Sequence, residues 1–159
     1  MVDKIKYSYY EIHQLCMNNG PKLKREFKPD VILAIGGGGL IPSRILRNSL
    51  NVPIYVVSLS TYDEENNAID VPRVIQWMDF SELKDKKILI VDEVDDTRKT
   101  LEFVINKLTI EEKISDLNLG VFVLHNKLKS KTINKHDLNI NYYCSGQNVD
   151  DIWIVYPWD

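Results

Sequence analysis

The chain has 159 residues, 44% hydrophobic and 27% charged, with a formal net charge of −3. This length suffices for one domain with a real core, and the composition is that of an ordinary soluble globular protein. The charge gives no global reason for nucleic-acid binding, and the longest apolar runs, Val31–Ile35, Ile88–Val91 and Val121–Leu124, are too short for a helical membrane span. In chain order, Ser8-Tyr9-Tyr10-Glu11 fits a helix capping box, followed by Ile12, Leu15 and Cys16 at helical spacing. Asn19-Gly20-Pro21 predicts the end of that helix or a kink, with a second helical piece from Lys22 to Phe27. Val31–Ile35 reads as a strand, Gly36–Gly39 as a turn, and Leu40–Leu50 as a helix with Pro42 in its first turn. Ile54–Leu59 reads as a strand, Ser60–Pro72 as a polar mobile loop, and Val74–Phe80 as a short strand. Lys84–Lys87 is a basic turn before the strand Ile88–Val91. A helix follows Thr100, then the strand Leu119–Leu124. The remainder, from Lys127, reads as irregular with weak strand signals at Tyr142–Cys144 and Ile152–Val155.

Strands alternating with helices predict an α/β fold with a parallel sheet. Ligands in such sheets bind outside the carboxyl ends of the strands. Three distinctive segments fall at such ends: Gly36–Gly39, Asp92–Thr100 and Asn126-Lys127. Cys16 and Cys144 have no Cys-x-x-Cys spacing and read as reduced thiols of a cytosolic protein. Asp3 near the N-terminus, with no apolar core around it, predicts no targeting segment.

The most informative run is Ile88-Leu89-Ile90-Val91 followed by Asp92-Glu93-Val94-Asp95-Asp96-Thr97-Arg98-Lys99-Thr100. A buried strand ending in four carboxylates has no evident structural use for them, because like charges repel and resist desolvation. The acids can hold a metal or sugar hydroxyls, and the turn amides and helix start can hold a phosphate. A solvated acidic loop is the bland alternative. A P-loop ATPase would need a Gly-x-x-x-x-Gly-Lys-Ser/Thr loop upstream, which is absent, and a phospho-receiver domain would need more chain after the acids. The glycine run is not a dinucleotide fingerprint, but its bare backbone can approach an anion closely. Trp153 and Trp158 suit either core packing or stacking on a base. Lys127 is either a solvated strand cap or a donor to a carbonyl oxygen. His13, His125 and His136 lack ligand spacing and read as structural or surface residues.

On these residues the chain resembles the type I phosphoribosyltransferases. Val91–Thr100 is similar to their phosphoribosyl-pyrophosphate motif. Ile35–Pro42 is similar to the pyrophosphate loop, and Ser58–Tyr62 to the start of the mobile catalytic loop. Phe122–Lys127 with Trp153–Asp159 resembles the purine-binding hood of the 6-oxopurine branch. The resemblance implies a single domain over residues 1–159, with a core at about 28–126 and a small C-terminal hood built from 127–159 plus the N-terminal segment. It implies purine salvage: transfer of phosphoribosyl from phosphoribosyl pyrophosphate to xanthine, guanine or hypoxanthine, with Mg²⁺ as cofactor. Asp92 and Glu93 would hold the ribose hydroxyls, directly or through the metal. Asp96 would handle the proton of purine N7. Asp96, Thr97, Arg98, Lys99 and Thr100 would wrap the 5′-phosphate, and Gly37 and Gly38 would meet pyrophosphate. Trp153 would stack on the purine, Ile154 would touch it with backbone, and Lys127 would donate to O6. Asp159 would lie near the metal and the C2 edge of the base. The partners implied are these small molecules, with neither nucleic acid nor membrane, in a cytoplasmic homodimer or homotetramer.

The chain departs from the family pattern twice. Arg98 stands where most members have Gly, so its guanidinium is expected to add a phosphate contact. Gly37 stands where many have Lys or Arg, so pyrophosphate would rely on amides or on a charge such as Arg73 or Arg44. Two other readings stay open: an adenine enzyme of 6-oxopurine descent, and a non-catalytic nucleotide-sensing regulator of the same fold.

Overall fold

Strands without polar alternation form the middle of the sheet, because both of their faces are covered. The computed structural model describes residues 3–159. In chain order it holds β1 (Lys4–Lys6), α1 (Tyr9–Glu26), β2 (Val31–Gly36), α2 (Leu40–Leu50), β3 (Ile54–Tyr62), β4 (Ala68–Gln76), β5 (Ile88–Asp95), α3 (Lys99–Asn106), β6 (Leu119–Lys127), β7 (Tyr142–Val149) and β8 (Trp153–Val155). Six strands form one sheet in the order β4-β3-β2-β5-β6-β7. All neighbours are parallel except β3 and β4. The expected α/β class with a mostly parallel sheet is therefore what the structure shows.

Alternate side chains of each strand go to opposite faces. On one face Leu33, Ile88, Ile90, Val121 and Val123 pack with Leu101, Val104, Ile105 and Leu108 from α3 and the turn after it. On the other, Ile32, Leu89, Val91, Phe122 and Leu124 pack with Ile12, Cys16 and Leu23 of α1 and Leu46 of α2. Three layers result, and β5 lies near the centre of the sheet with its carboxyl end carrying the acids.

Three expectations need correction. First, α1 does not break at Asn19-Gly20-Pro21. It continues to Glu26 with Pro21 inside it, from an N-terminus where Ser8 and Glu11 form the full capping box. Gly20 sits so close to α2 that a Cβ would lie 2.4 Å from Ser49 Oγ, so helix packing holds the segment straight. Pro21 costs only the bond to the Met17 carbonyl, on a residue that water reaches. Second, the expected loop 60–72 belongs largely to a β-hairpin. Asp63 Oδ1 accepts hydrogen bonds from the amides of Glu65 (2.9 Å) and Asn67 (2.8 Å), and Asn66 takes the left-handed φ of 63°. The polar acid- and Asn-rich stretch is thus the turn itself, flanked by paired strands. Third, the C-terminal region is more regular than its sequence suggests. β7 joins the main sheet beside β6, and β8 pairs in parallel with β1, Trp153 opposite Lys4.

Candidate active site

β5 runs on through the acids to Asp95, and the chain turns at residues 96–98 into α3. A cavity of about 320 Å³ lies over this turn. Residues 92–101 line one side; Thr61, Tyr62, Pro72 and residues 68–70 of the hairpin line the other. Lys99 Nζ lies 3.6 Å from Asp70 Oδ1, joining the two walls. Arg98 at the start of α3 supplies no side-chain cap, and the Lys99 amide has only a long 3.5 Å contact to Thr97 Oγ1, so this helix start can take an anion.

The four acids have different surroundings. Asp92 is buried, and its Oδ1 accepts a hydrogen bond of 2.9 Å from the Glu93 amide. Burial, then the neighbouring Glu93 charge, push its carboxyl well above the usual carboxylate range. Glu93 lies directly over the glycine turn: a Cβ on Gly38 would meet Glu93 Oε2 at 1.6 Å, and one on Gly39 would meet the Val91 carbonyl at 2.2 Å. Glycine is required at both positions because β5 and the turn after β2 touch there. A Cβ at Gly37 would meet nothing within 4 Å, so this residue faces open space. The Gly36–Gly37 peptide is cis. Asp95 is buried; it takes the Arg98 guanidinium at 2.6 Å and the Tyr143 hydroxyl at 2.6 Å. Asp96 lies between two lysines, with Lys127 Nζ 3.5 Å from Oδ2 and Lys129 Nζ 3.0 Å from Oδ1. Partial burial pushes the Asp96 carboxyl up, but the Lys129 hydrogen bond and the charges of Lys127 and Lys129 outweigh it and hold the group below the usual range. Asp96 is therefore ionised at neutral pH and can only accept.

The expected phosphate contact of the Arg98 side chain is corrected. The guanidinium is buried and already bonded to Asp95 and to the Ile133 carbonyl (3.3 Å). Arg73 and Arg44 also have partners elsewhere: Arg73 pairs with Glu64 at 3.6 Å and Arg44 donates to Asn48 at 3.1 Å.

A further pattern was not read from the sequence. Tyr156 donates its hydroxyl proton to the Glu93 carbonyl at 3.1 Å and lies 2.8 Å from His125 Nδ1. One hydroxyl has one proton, so His125 must donate from Nδ1. His125 is fully buried, stacks on Tyr7 at 4.3 Å, and is pushed down to about 4 by burial. Trp158 stacks on Tyr156 at 4.8 Å, and Asp159 Oδ2 accepts from the Tyr156 amide at 2.9 Å. The C-terminal segment is thus tied to the acid strand. Ile154 is buried in the core beneath, whereas Trp153 is 57% exposed. Trp153, Ile154 and Asp159 do not line the cavity over residues 92–101. His13 and His136 are exposed.

A model of the phosphoribosyl transferase domain matches residues 8–155. The chain belongs to the phosphoribosyltransferase family. It is 43% identical to the hypoxanthine-guanine phosphoribosyltransferase of Schizosaccharomyces pombe, over 98% of this chain and 89% of that one. It is 38% identical to xanthine phosphoribosyltransferase 1 of Saccharomyces cerevisiae, over 99% and 90%. A Neisseria gonorrhoeae protein whose crystal structure contains ppGpp superposes with a TM-score of 0.85 at 41% identity, covering 100% of this chain and 90% of that one. The acid end of β5 and the start of α3 line one cavity, and the glycine turn lies against Glu93 at the same carboxyl edge of the sheet. No helix among the described residues is long and apolar enough to cross a membrane.

Proposed function

We propose that this phosphoribosyltransferase salvages 6-oxopurines, joining guanine, xanthine or hypoxanthine to phosphoribosyl pyrophosphate with release of pyrophosphate. The observation that carries this reading is Asp96, held ionised between Lys127 and Lys129 beside the anion-ready turn. The bond from C1 of the ribose to pyrophosphate oxygen breaks and a bond from purine nitrogen to C1 forms. The electron pair leaves with pyrophosphate, and the purine must lose one proton. Asp96 accepts that proton from the N7 side. Lys127 has donors only and keeps two N–H bonds beyond its pair with Asp96, so it favours a 6-oxo group over the 6-amino group of adenine. The amides of residues 97–100 take the 5′-phosphate, and those of Gly37 and Gly38 take pyrophosphate. Trp153 covers the base, Ile154 offers it backbone, and Asp159 faces its C2 edge. The hairpin closes over the site and keeps water from C1.

Asp92 and Glu93 suit Mg²⁺: both present hard oxygen, and neither pairs with a cation among the described residues. No three His, Cys, Asp or Glu side chains among the described residues converge to hold a metal alone, so the ion would take most ligands from substrate and water, with Asp159 nearby. When bound it supplies positive charge against the departing pyrophosphate. A cytoplasmic homodimer or homotetramer is part of the same proposal.

The test is nucleotide formation from phosphoribosyl pyrophosphate and Mg²⁺ with guanine, xanthine, hypoxanthine and adenine offered separately. Turnover with a 6-oxo base is expected; efficient use of adenine alone would overturn the Lys127 assignment in favour of an adenine enzyme. A second reading draws on the Neisseria relative, whose crystal structure contains ppGpp: this chain would bind a guanine nucleotide that regulates or replaces catalysis. Nucleotide binding without turnover of any base would select it.

A further inference from the structure

The turn at residues 96–98 receives phosphate only if its amides point into the cavity, and the structure shows what points them. In a trans peptide the carbonyl of one residue and the amide of the next are antiparallel. Lys131 Nζ donates to the Asp95 carbonyl and, at 2.8 Å, to the Asp96 carbonyl. The Thr132 amide and hydroxyl donate to the Thr97 carbonyl at 3.0 and 3.1 Å. All three carbonyls are therefore held by residues 131–132, and the amides of residues 96, 97 and 98 turn the opposite way. Residue 98 adopts φ 74° and ψ 1°, the left-handed region that an ordinary side chain disfavours. Arg98 offsets this by forking onto Asp95 at 3.0 Å through Nε and 2.6 Å through Nη2, and by donating to the Ile133 carbonyl at 3.3 Å. Tyr143 on β7 closes the cluster from beneath, 2.6 Å from Asp95.

We propose that Arg98 is a positioning residue: locked onto Asp95 and residue 133, it clasps the phosphate turn to the 131–133 segment and shapes it before substrate arrives. This rests on the reading of residues 96–100 as the 5′-phosphate cradle. Arg98 touches no substrate through its side chain. Its work is to order the turn in the free enzyme, so that binding the donor does not have to.

The test compares wild type, Arg98→Gly, Arg98→Lys, Tyr143→Phe and the double variant Asp95→Leu/Arg98→Gly. Glycine takes the left-handed conformation freely, so Arg98→Gly removes the clasp without adding backbone strain. The double variant removes Arg98 and its buried counter-charge together; Lys131, 3.6 Å from Asp95, keeps its bonds to the Asp95 and Asp96 carbonyls, so the test stays open if Arg98→Gly fails to fold. Hydrogen exchange of amides 96–100 in the free enzyme is expected to rise about tenfold in both glycine variants and less in Tyr143→Phe. The KM for phosphoribosyl pyrophosphate is expected to rise about tenfold, with kcat and the purine KM moving less than about threefold. Lysine keeps charge but not the fork, so Arg98→Lys should recover only part of the loss. Unchanged exchange in the glycine variants overturns the positioning role, whether or not the wild type turns over a purine. A donor KM within about twofold of an active wild type, despite faster exchange, overturns it as well. A wild type inactive on every base, yet with exchange that responds to Arg98→Gly, overturns the catalytic reading and leaves the clasp standing.

Discussion

Asp95 and Asp96 are adjacent in sequence and opposite in character. Asp95 turns into the protein, where Arg98 and Tyr143 satisfy it and no water reaches it. Asp96 lines the cavity with 44% of its side chain exposed, between two lysines that hold it ionised. One acid is spent on the fold and the other faces the cavity. A cluster of acids at a strand end is therefore not uniformly functional, and partners decide which is which.

The comparison breaks first on Asp95. Asp95→Ala leaves Arg98 buried without its counter-charge, which typically costs about 3–5 kcal/mol. Thermal denaturation should show a fall of about 10 °C in Tm, given the usual entropy of unfolding for a chain of this size. A melting point near wild type would mean that the ion pair contributes no structure. Away from the two acids, His125 gives an effect of similar size that depends on pH. Its folded-state value is about 4 against 6.5 for the ordinary side chain. Between those values the unfolded chain binds a proton that the folded chain refuses. Stability contributed by neutral His125 is thus present above about pH 6.5 and lost as pH falls toward 4, up to about 3 kcal/mol in all. Urea titrations at pH 7, 5.5 and 4 should show this slope in wild type and a flatter one in His125→Gln. Asp96→Asn comes third: kcat/KM should fall about a hundredfold, the usual scale for a lost proton acceptor, while Tm stays close to wild type. Unchanged kcat/KM would remove Asp96 from the mechanism.

The strand ends and the order of elements were legible because Ile88–Val91 and its neighbours carry continuous apolar runs. The stretch from Asp92 to Thr100, which lines the cavity, was legible as a motif for the same reason, since acids that interrupt such a run stand out. What stayed hidden depends on distance. Nothing near Arg98 in sequence reveals that Asp95, Tyr143 and the Ile133 carbonyl would take its guanidinium, because β7 and the 131–133 segment reach it only through the fold. His125 was legible as a structural residue, but its bond to Tyr156 spans 31 positions. The hairpin was hidden for a local reason: Asp63 and Asn67 write a tight turn in the same residues that a flexible loop would use. Pro21 misled because a helix stop signal yields to packing when a glycine beside it lets two helices meet.

The smallest effect is the most discriminating for Asp96. Lys129 bridges Asp96 at 3.0 Å and Asp151 at 3.2 Å, so it links the proposed proton acceptor to the C-terminal segment. Its hydrogen bond and charge help hold the Asp96 carboxyl down. Lys129→Met removes both and leaves Lys127 in place, so the carboxyl should rise toward its ordinary value. Asp96 must be ionised to accept a proton, so activity is lost as pH falls through its value. The acid limb of kcat/KM should therefore move to higher pH in the variant, with turnover near neutral pH changed only about twofold. An acid limb that stays in place in Lys129→Met while vanishing in Asp96→Asn would assign the control of Asp96 to Lys127 alone. An acid limb that survives in Asp96→Asn belongs to another group, and the proton acceptor must then be sought elsewhere in the site.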